Sequence, residues 1–380
     1  MKILFTGGGT GGHLFPLIAV AREIRRLSDN QNIQLHYIGP KDEKGRLLLT
    51  QETFKIHAIV CGKIRRYFSF ENITDVLFKI PFGFLQSFWL LFLIWPDLVF
   101  SKGGSGSLVV VLAARILGIP IFLHESDSVP GQSNRAAYSW AKKVFISFPK
   151  TDYFPLSQAN AKTMLVGHPI LKEIMEGSKE SAKEIFRLTL EKPILLFWGG
   201  SQGAGPINDF VLGTLTKLLQ SYEVIHVCGK KNYQDVQAEA KVVLNKQEDL
   251  EKYYHLWEFL DEAPLKHALK AADFVISRAG AGSIFELAAC GKPAILIPLP
   301  SSANNHQSKN AYEYASGGCA VIIEQDNLSP NLFLEKIRYL LANTGELEQM
   351  KQNALSFAKP LAAKAIAREI LEFLISRSAK

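Results

Sequence analysis

The segment Ile3-Leu4-Phe5-Thr6-Gly7-Gly8-Gly9-Thr10-Gly11-Gly12-His13-Leu14-Phe15-Pro16 decides the fold. A short apolar run passes straight into a glycine loop, and the loop opens a helical pattern. Leu14, Leu17, Ala21 and Ile24 recur at helical spacing, with Arg22, Glu23, Arg25 and Arg26 on the other side. Pro16 is tolerated in a first turn, where its missing N–H is not needed. A strand, a glycine loop and a helix start together bring backbone N–H groups and a positive helix end to one place, which suits an anion.

The same opening recurs mid-chain. Ile194–Trp198 leads into Gly199-Gly200-Ser201-Gln202-Gly203-Ala204-Gly205, followed by Pro206. Other strand-like runs are Gln34–Ile38, Leu98–Ser101, Ile119–Leu123, Val144–Ser147, Val224–Cys228, Phe274–Ser277 and Ala294–Pro298, with helical patterns between them. Gly118 with Pro120, and Gly291 with Pro293, have the order expected after a helix end. Such alternation predicts parallel sheets covered on both faces. The repeated opening predicts two Rossmann-like domains in tandem, 1–165 and 166–358, with strand C-termini facing a central cleft. The polar segment Ser157–Glu191 contains the first crossing, and the helical tail 359–380 is expected to pack back on the first domain.

A length of 380 residues fits two domains, and 47% hydrophobic residues excludes a disordered or fibrous chain. The cysteines Cys61, Cys228, Cys290 and Cys319 form no CxxC pair, which argues against a zinc ribbon, an iron–sulfur cluster or a disulfide scaffold and fits a reducing compartment. The net charge of +7 favours a polyanionic partner without choosing one; solubility alone is the plainer reading. The start of the chain reads as a buried strand rather than a secretory signal.

Gly7 to Gly12 fits G-x-G-x-x-G, but a dinucleotide fold also needs an acid at the end of the second strand. That strand ends Tyr37-Ile38-Gly39-Pro40, with Asp42 and Glu43 in a following loop, so NAD is a poor fit. Two more glycine clusters follow strands, Lys102-Gly103-Gly104-Ser105-Gly106 and Arg278-Ala279-Gly280-Ala281-Gly282-Ser283. For Gly103, Gly104 and Gly106, tight turns and ligand contact are equally good explanations.

Gly7 through Pro16 resembles the N-terminal signature of the MurG family, within glycosyltransferase family 28. The resemblance continues in order along almost the whole chain. It includes His124-Glu125-Ser126-Asp127, Val166-Gly167-His168-Pro169, Gly199 through Ala204, Glu258-Phe259-Leu260, Arg278 through Glu286, and Asn305-His306-Gln307. It implies an α/β GT-B fold, UDP-GlcNAc as donor held mainly by the C-terminal domain, and lipid I as acceptor met by the N-terminal domain. The implied reaction is inverting and builds lipid II at the cytoplasmic face of the membrane. It needs no cofactor and no tightly held metal, and no D-x-D motif is present. Other cell-wall synthesis or division proteins are admitted as partners; nucleic acid is not, because the basic residues do not interleave with a binding motif.

Such a transfer needs a base for the acceptor hydroxyl and stabilisation of the departing diphosphate. His13 is the candidate base or an essential contact beside it, kept neutral by the positive helix end. Ser201 and its loop are expected at the diphosphate. Glu286, with Ala281, Gly282, Ser283, Ile284 and Phe285 before it, is expected at the ribose as an acceptor-only carboxylate on a helix beginning near Ser283. The resemblance puts the uracil edge at the Leu260 backbone, GlcNAc hydroxyls at Gln307, and sugar-side contacts at Thr10, Gly11 and Gly12. Asn304, Asn305 and His306 are weaker candidates. The family commonly has Asn where this chain has Asp127, so this carboxylate either contacts the sugar or assists as a base. The family's basic residue is replaced by Leu171, and Lys172 follows it.

Lys63, Arg65 and Arg66 precede Tyr67, Phe68 and Phe70, and aromatic residues continue through Ile80–Trp95. The stretch from Ile80 falls short of the ~20 apolar residues of a bilayer span. It predicts an interfacial helix that dips into an anionic membrane surface. Two other readings stay open: a glycolipid synthase with diacylglycerol as acceptor, and a non-catalytic sugar-nucleotide-binding membrane protein.

Overall fold

A computed structural model describes residues 1–8, 11–28, 32–62, 74–149, 154, 162–200, 203–245 and 247–378. The chain divides into two units, Met1–Leu171 with Lys359–Lys380, and Lys172–Ala358.

The first unit is built on a seven-stranded sheet. Its strands are β1 (Lys2–Thr6), β2 (Gln34–Pro40), β3 (Lys55–Ile59), β4 (Leu98–Ser101), β5 (Ile121–Glu125), β6 (Lys143–Ile146) and β7 (Thr163–Leu165). Their order is β3-β2-β1-β4-β5-β6-β7, and every pairing is parallel. The central strands are buried on both faces, so they read as continuous apolar runs. One face carries the helix Gly11–Leu27 with the tail helix Ala362–Ser378; Leu17, Val20 and Ile24 pack with Ile366, Ile370 and Leu374. The other face carries Ile80–Ile94 and Ser107–Ile116. Val166 and Leu171 lie in this unit's core, so the apolar residue at 171 is a packing residue, while Lys172 is exposed.

The second unit has six parallel strands: β8 (Ile194–Trp198), β9 (Glu223–Val227), β10 (Tyr254–Trp257), β11 (Phe274–Ser277), β12 (Ala294–Leu296) and β13 (Ala320–Ile322). Their order is β10-β9-β8-β11-β12-β13. Each sheet thus has its glycine-loop strand, β1 or β8, in the interior with neighbours on both sides.

Asp42, the acid considered for a ribose, is a helix cap: its side chain accepts from Gly45 N at 3.0 Å at the start of Glu43–Gln51.

The aromatic helix is longer than expected from the sequence. A π-turn at Asp75–Lys79 runs on into Ile80–Ile94, giving 20 residues, enough by length and composition to cross a membrane. It is fixed to its unit along one side. Gly83, Ser87, Leu91 and Ile94 are buried, and a Cβ at Gly83 would meet Val60 O at 2.1 Å. The opposite side exposes Leu77, Phe78, Phe82, Leu85, Trp89, Phe92 and Leu93, with Phe78 68% and Leu93 74% exposed. Lys63, Arg65, Arg66, Tyr67, Phe68 and Phe70 lie outside the described residues.

Candidate active site

In the first unit the site starts where β1 ends. The chain leaves Thr6, turns through Gly7 and Gly8, and enters the helix at Gly11; Thr10 lies outside the described residues, and Gly12 stands exposed in the first turn. His13 follows, half-buried between two glycine backbones. A Cβ on Gly8 would come 3.0 Å from its Nδ1, and one on Gly104 would come 3.2 Å from its Nε2. Gly104 has φ +98°, and its Cβ would also stand 2.9 Å from Gly8 N. Close approach and left-handed backbone therefore explain this glycine without a ligand. Lys102 N donates to Thr6 O at 2.9 Å and ties the two loops together.

The third loop follows β5. Glu125 is buried and accepts from Asp127 N at 3.1 Å, Gly131 N at 3.0 Å and Asn134 Nδ2 at 2.9 Å. Its carboxylate folds the segment that presents Asp127, which is half-buried. His124 Nε2 lies 3.1 Å from Gly167 O, and the rings of His124 and His168 meet edge to face at 5.8 Å.

This cluster is electrically unusual. Lys102 is 3% exposed, and burial pushes its amine down to about 8 against the opposing pull of Glu125 and Asp127. His13 is pushed down to about 4, first by desolvation and then by Lys102, with Asp127 acting the other way. Dehydration and a buried ammonium, rather than the helix end invoked from sequence, are thus the main reasons His13 stays neutral. His124 and His168 are held well below the usual histidine range by burial and by Lys102. The role of Lys102 was not legible in the sequence, because only the fold brings it beside Glu125 and Asp127.

In the second unit the chain leaves β8 at Trp198. Gly200 (φ +81°) and Gly203 (φ +77°) take left-handed backbone, while Ser201 lies outside the described residues. A Cβ on Gly203 would stand 2.3 Å from Cys228 O. That carbonyl is fixed by Asn208 Nδ2 at 3.0 Å and Asn232 Nδ2 at 2.9 Å. Asn208 Oδ1 is 3.0 Å from His226 Nε2, whose Nδ1 is 2.8 Å from Tyr254 OH. The loop leads into the helix Gly205–Ser221.

The loop after β11 begins a helix at Ala281, two residues before the position read from sequence, with Gly280 as cap. The first-turn N–H groups of such a helix have no intrahelical acceptor and are anion donors. Ile284 is already in the ladder, donating to Gly280 O at 3.0 Å, and the side chains of Ala281, Ile284 and Phe285 are buried. This leaves Gly282, Ser283 and Glu286 as the half-buried side of the turn. Burial raises Glu286 to about 8. In the unliganded protein burial therefore favours the neutral acid over the carboxylate.

Two residues hold this loop. Arg278 donates to Ile297 O at 3.0 Å, Pro298 O at 3.2 Å and Gln325 Oε1 at 2.7 Å. Asn310 Nδ2 donates to Ala279 O at 3.3 Å. Gln307 Oε1 accepts from Leu299 N at 3.1 Å. Asn304 and Asn305 both have φ +55°, and His306 Nδ1 is bonded within its own turn to Ala303 O at 2.7 Å. Leu260, following β10, is buried. Among the described residues no group of three or more His, Cys, Asp or Glu is arranged to hold a metal ion.

Residues 3–146 match the glycosyltransferase family 28 N-terminal domain, and residues 194–366 match the family's C-terminal domain. The UDP-N-acetylglucosamine--N-acetylmuramyl-(pentapeptide) pyrophosphoryl-undecaprenol N-acetylglucosamine transferase of Clostridium tetani is 36% identical over 93% of this chain and 94% of its own. The protein of the same name from Clostridium kluyveri is 36% identical over 94% of this chain and 96% of its own. Among solved structures, Acinetobacter baumannii MurG superposes with a TM-score of 0.71 at 27% identity, covering 98% of this chain and 99% of that one. A UDP-GlcNAc 2-epimerase from Neisseria meningitidis reaches a TM-score of 0.69 at 15% identity, covering 98% and 100%, a likeness of fold alone. The two parallel-sheet α/β units are those of a GT-B fold. Both family domains matched in order, with relatives alike over nearly their full length, make the chain a member of glycosyltransferase family 28.

Proposed function

We propose that this chain moves GlcNAc from UDP-GlcNAc to the C4 hydroxyl of MurNAc in lipid I, giving lipid II for peptidoglycan synthesis. The observation that carries the reading is identity over nearly full length to transferases named for this reaction.

The second unit holds the donor. N–H groups at the start of Ala281–Ala289 and in the Gly199–Gly205 loop, with the Ser201 hydroxyl, neutralise the departing diphosphate. Glu286 takes the ribose hydroxyls, and the Leu260 backbone meets the uracil. The bond from Leu299 N engages Gln307 Oε1, so Gln307 meets the sugar hydroxyls through Nε2.

The first unit meets the acceptor, and its Thr10, Gly11 and Gly12 reach the donor from the sugar side. His13 takes the proton from the attacking hydroxyl. His13 lies at about 4 with the upward pull of Asp127 already acting on it, so without that charge it would be a weaker base still. Asp127 thereby assists the base rather than donating hydrogen bonds to the sugar as an asparagine would. The exposed apolar side of Asp75–Ile94 supports peripheral attachment at the cytoplasmic face of the membrane, where the acceptor's lipid tail is anchored.

The test is transfer of labelled GlcNAc from UDP-GlcNAc to lipid I in detergent. The expected product is labelled lipid II. Transfer to diacylglycerol instead makes the chain a glycolipid synthase, and tight UDP-GlcNAc binding without transfer makes it a binding protein.

A further inference from the structure

The second unit has a feature at the opposite ends of its strands from the glycine loops. Where β8, β11 and β12 begin, a cavity of about 450 Å³ is lined by Lys179, Lys192, Lys270, Lys292, Lys351 and a single carboxylate, Asp273. We infer that this cavity is a separate anion site, for a compact ligand bearing two or more phosphoryl groups.

The lysines do not contribute equally. Lys192 Nζ donates to Leu219 O at 2.6 Å and lies over the Tyr253 ring at 3.5 Å. Lys351 is 3.4 Å from Glu348. Lys179, Lys270 and Lys292 are the cations that hold the anion. Lys292 is the fixed one: its Nζ donates to Lys270 O at 3.1 Å and Ala272 O at 2.8 Å, at the end of the helix Glu262–Ala271. Half-buried and held by two carbonyls, it keeps a third N–H for a ligand. Lys179 and Lys270 stand exposed at the rim and can follow the ligand.

The single lining carboxylate offsets only part of this charge. Asp273 Oδ2 accepts the backbone N–H of Ile194 at 2.8 Å and is tied to the start of β8. Burial pushes the Lys292 amine down to about 8, Cys290 and Asp273 oppose this, and Lys179 and Lys270 add to it. One dehydrated ammonium with two further cations at the rim favours a multiply charged anion. Ammonium groups act as point donors to phosphoryl oxygens and do not demand the planar fork of a guanidinium site. A volume of about 450 Å³ suits a di- or triphosphate group. The source is either free oligophosphate or a phosphate headgroup at a lipid surface.

The inference is independent of the proposed reaction. Tripolyphosphate is titrated calorimetrically into the full chain, with saturating UDP present to occupy the donor site. Binding to cardiolipin vesicles, whose headgroup carries two phosphoryl groups, is measured in parallel. The variant K179Q/K270Q changes only rim residues. It is expected to weaken tripolyphosphate binding about tenfold or more while leaving UDP affinity unchanged. A loss confined to vesicles keeps the site and assigns it to a lipid headgroup. Equal binding by both proteins in both assays, or no binding by either, overturns the inference, as does tripolyphosphate binding seen only when UDP is left out.

Discussion

The raised acid at Glu286 makes donor binding pH-dependent in a calculable way. Its carboxyl lies at about 8 because burial penalises the charged form. If ribose hydroxyls donate to it, the bound state requires the carboxylate. About one-tenth is then ionised at pH 7, about half at pH 8 and about nine-tenths at pH 9, since each pH unit below the pKa costs about 1.36 kcal/mol. The Kd for UDP should therefore fall about tenfold between pH 7 and pH 9, with about 0.9 proton released per UDP bound at pH 7. Calorimetry in buffers of different ionisation enthalpy reads both quantities, and the ligand's own ionisation is subtracted with the Glu286→Gln variant. Glu286→Gln keeps the shape and removes this titration, so its Kd should lack the tenfold fall. A pH-independent wild-type Kd, or the same slope in the variant, refutes the assignment. The linkage also has a sign for stability. A carboxyl raised in the folded state binds its proton more tightly there than when unfolded, so stability is lost as pH rises towards 8. Above pH 8 Glu286→Gln should therefore raise Tm.

Four further outcomes are expected. His13→Ala should lower turnover about 10²–10⁴-fold with UDP affinity unchanged, and full turnover would remove His13 from the chemistry. Asp127→Asn takes away the charge that raises His13, so the acid limb of the kcat profile should move to lower pH and the plateau should drop about tenfold; an unmoved limb leaves Asp127 as a sugar contact only. Gly203→Ala forces a side chain onto Cys228 O at a left-handed backbone position and should cost about 1–3 kcal/mol in urea unfolding. Replacing both Trp89 and Leu93 by Glu should weaken binding to anionic vesicles more than tenfold, while UDP binding in solution stays constant.

The interior of both sheets was legible in the sequence, and the edges were not. Ile3–Thr6, Ile194–Trp198 and Phe274–Ser277 announce themselves because a parallel strand covered on both faces is an unbroken apolar run. The strands the sequence reading did not name are β3, β7, β10 and β13, the outer strand on each side of each sheet. Lys55-Ile56-His57-Ala58-Ile59 is half-exposed and polar at alternate places, and β7 and β13 are three residues long, so neither period nor length gives them away. The site was legible as motifs but not as electrostatics. Glycine loops and the His13 and Glu286 positions follow from local pattern. The dehydration of Lys102 and the wrapping of Glu125 by three N–H donors depend on segments far apart in the chain.

The return of Ala362–Ser378 to the first unit bears on how the protein is made. Ile366, Ile370 and Leu374 complete a hydrophobic layer begun by Leu17 and Ile24, yet the ribosome reaches them only after the whole second unit has been synthesised. The nascent first unit must wait with an oily flank uncovered. Clipping the last few turns of the chain would reopen that flank and so damage the half of the molecule farthest away in sequence.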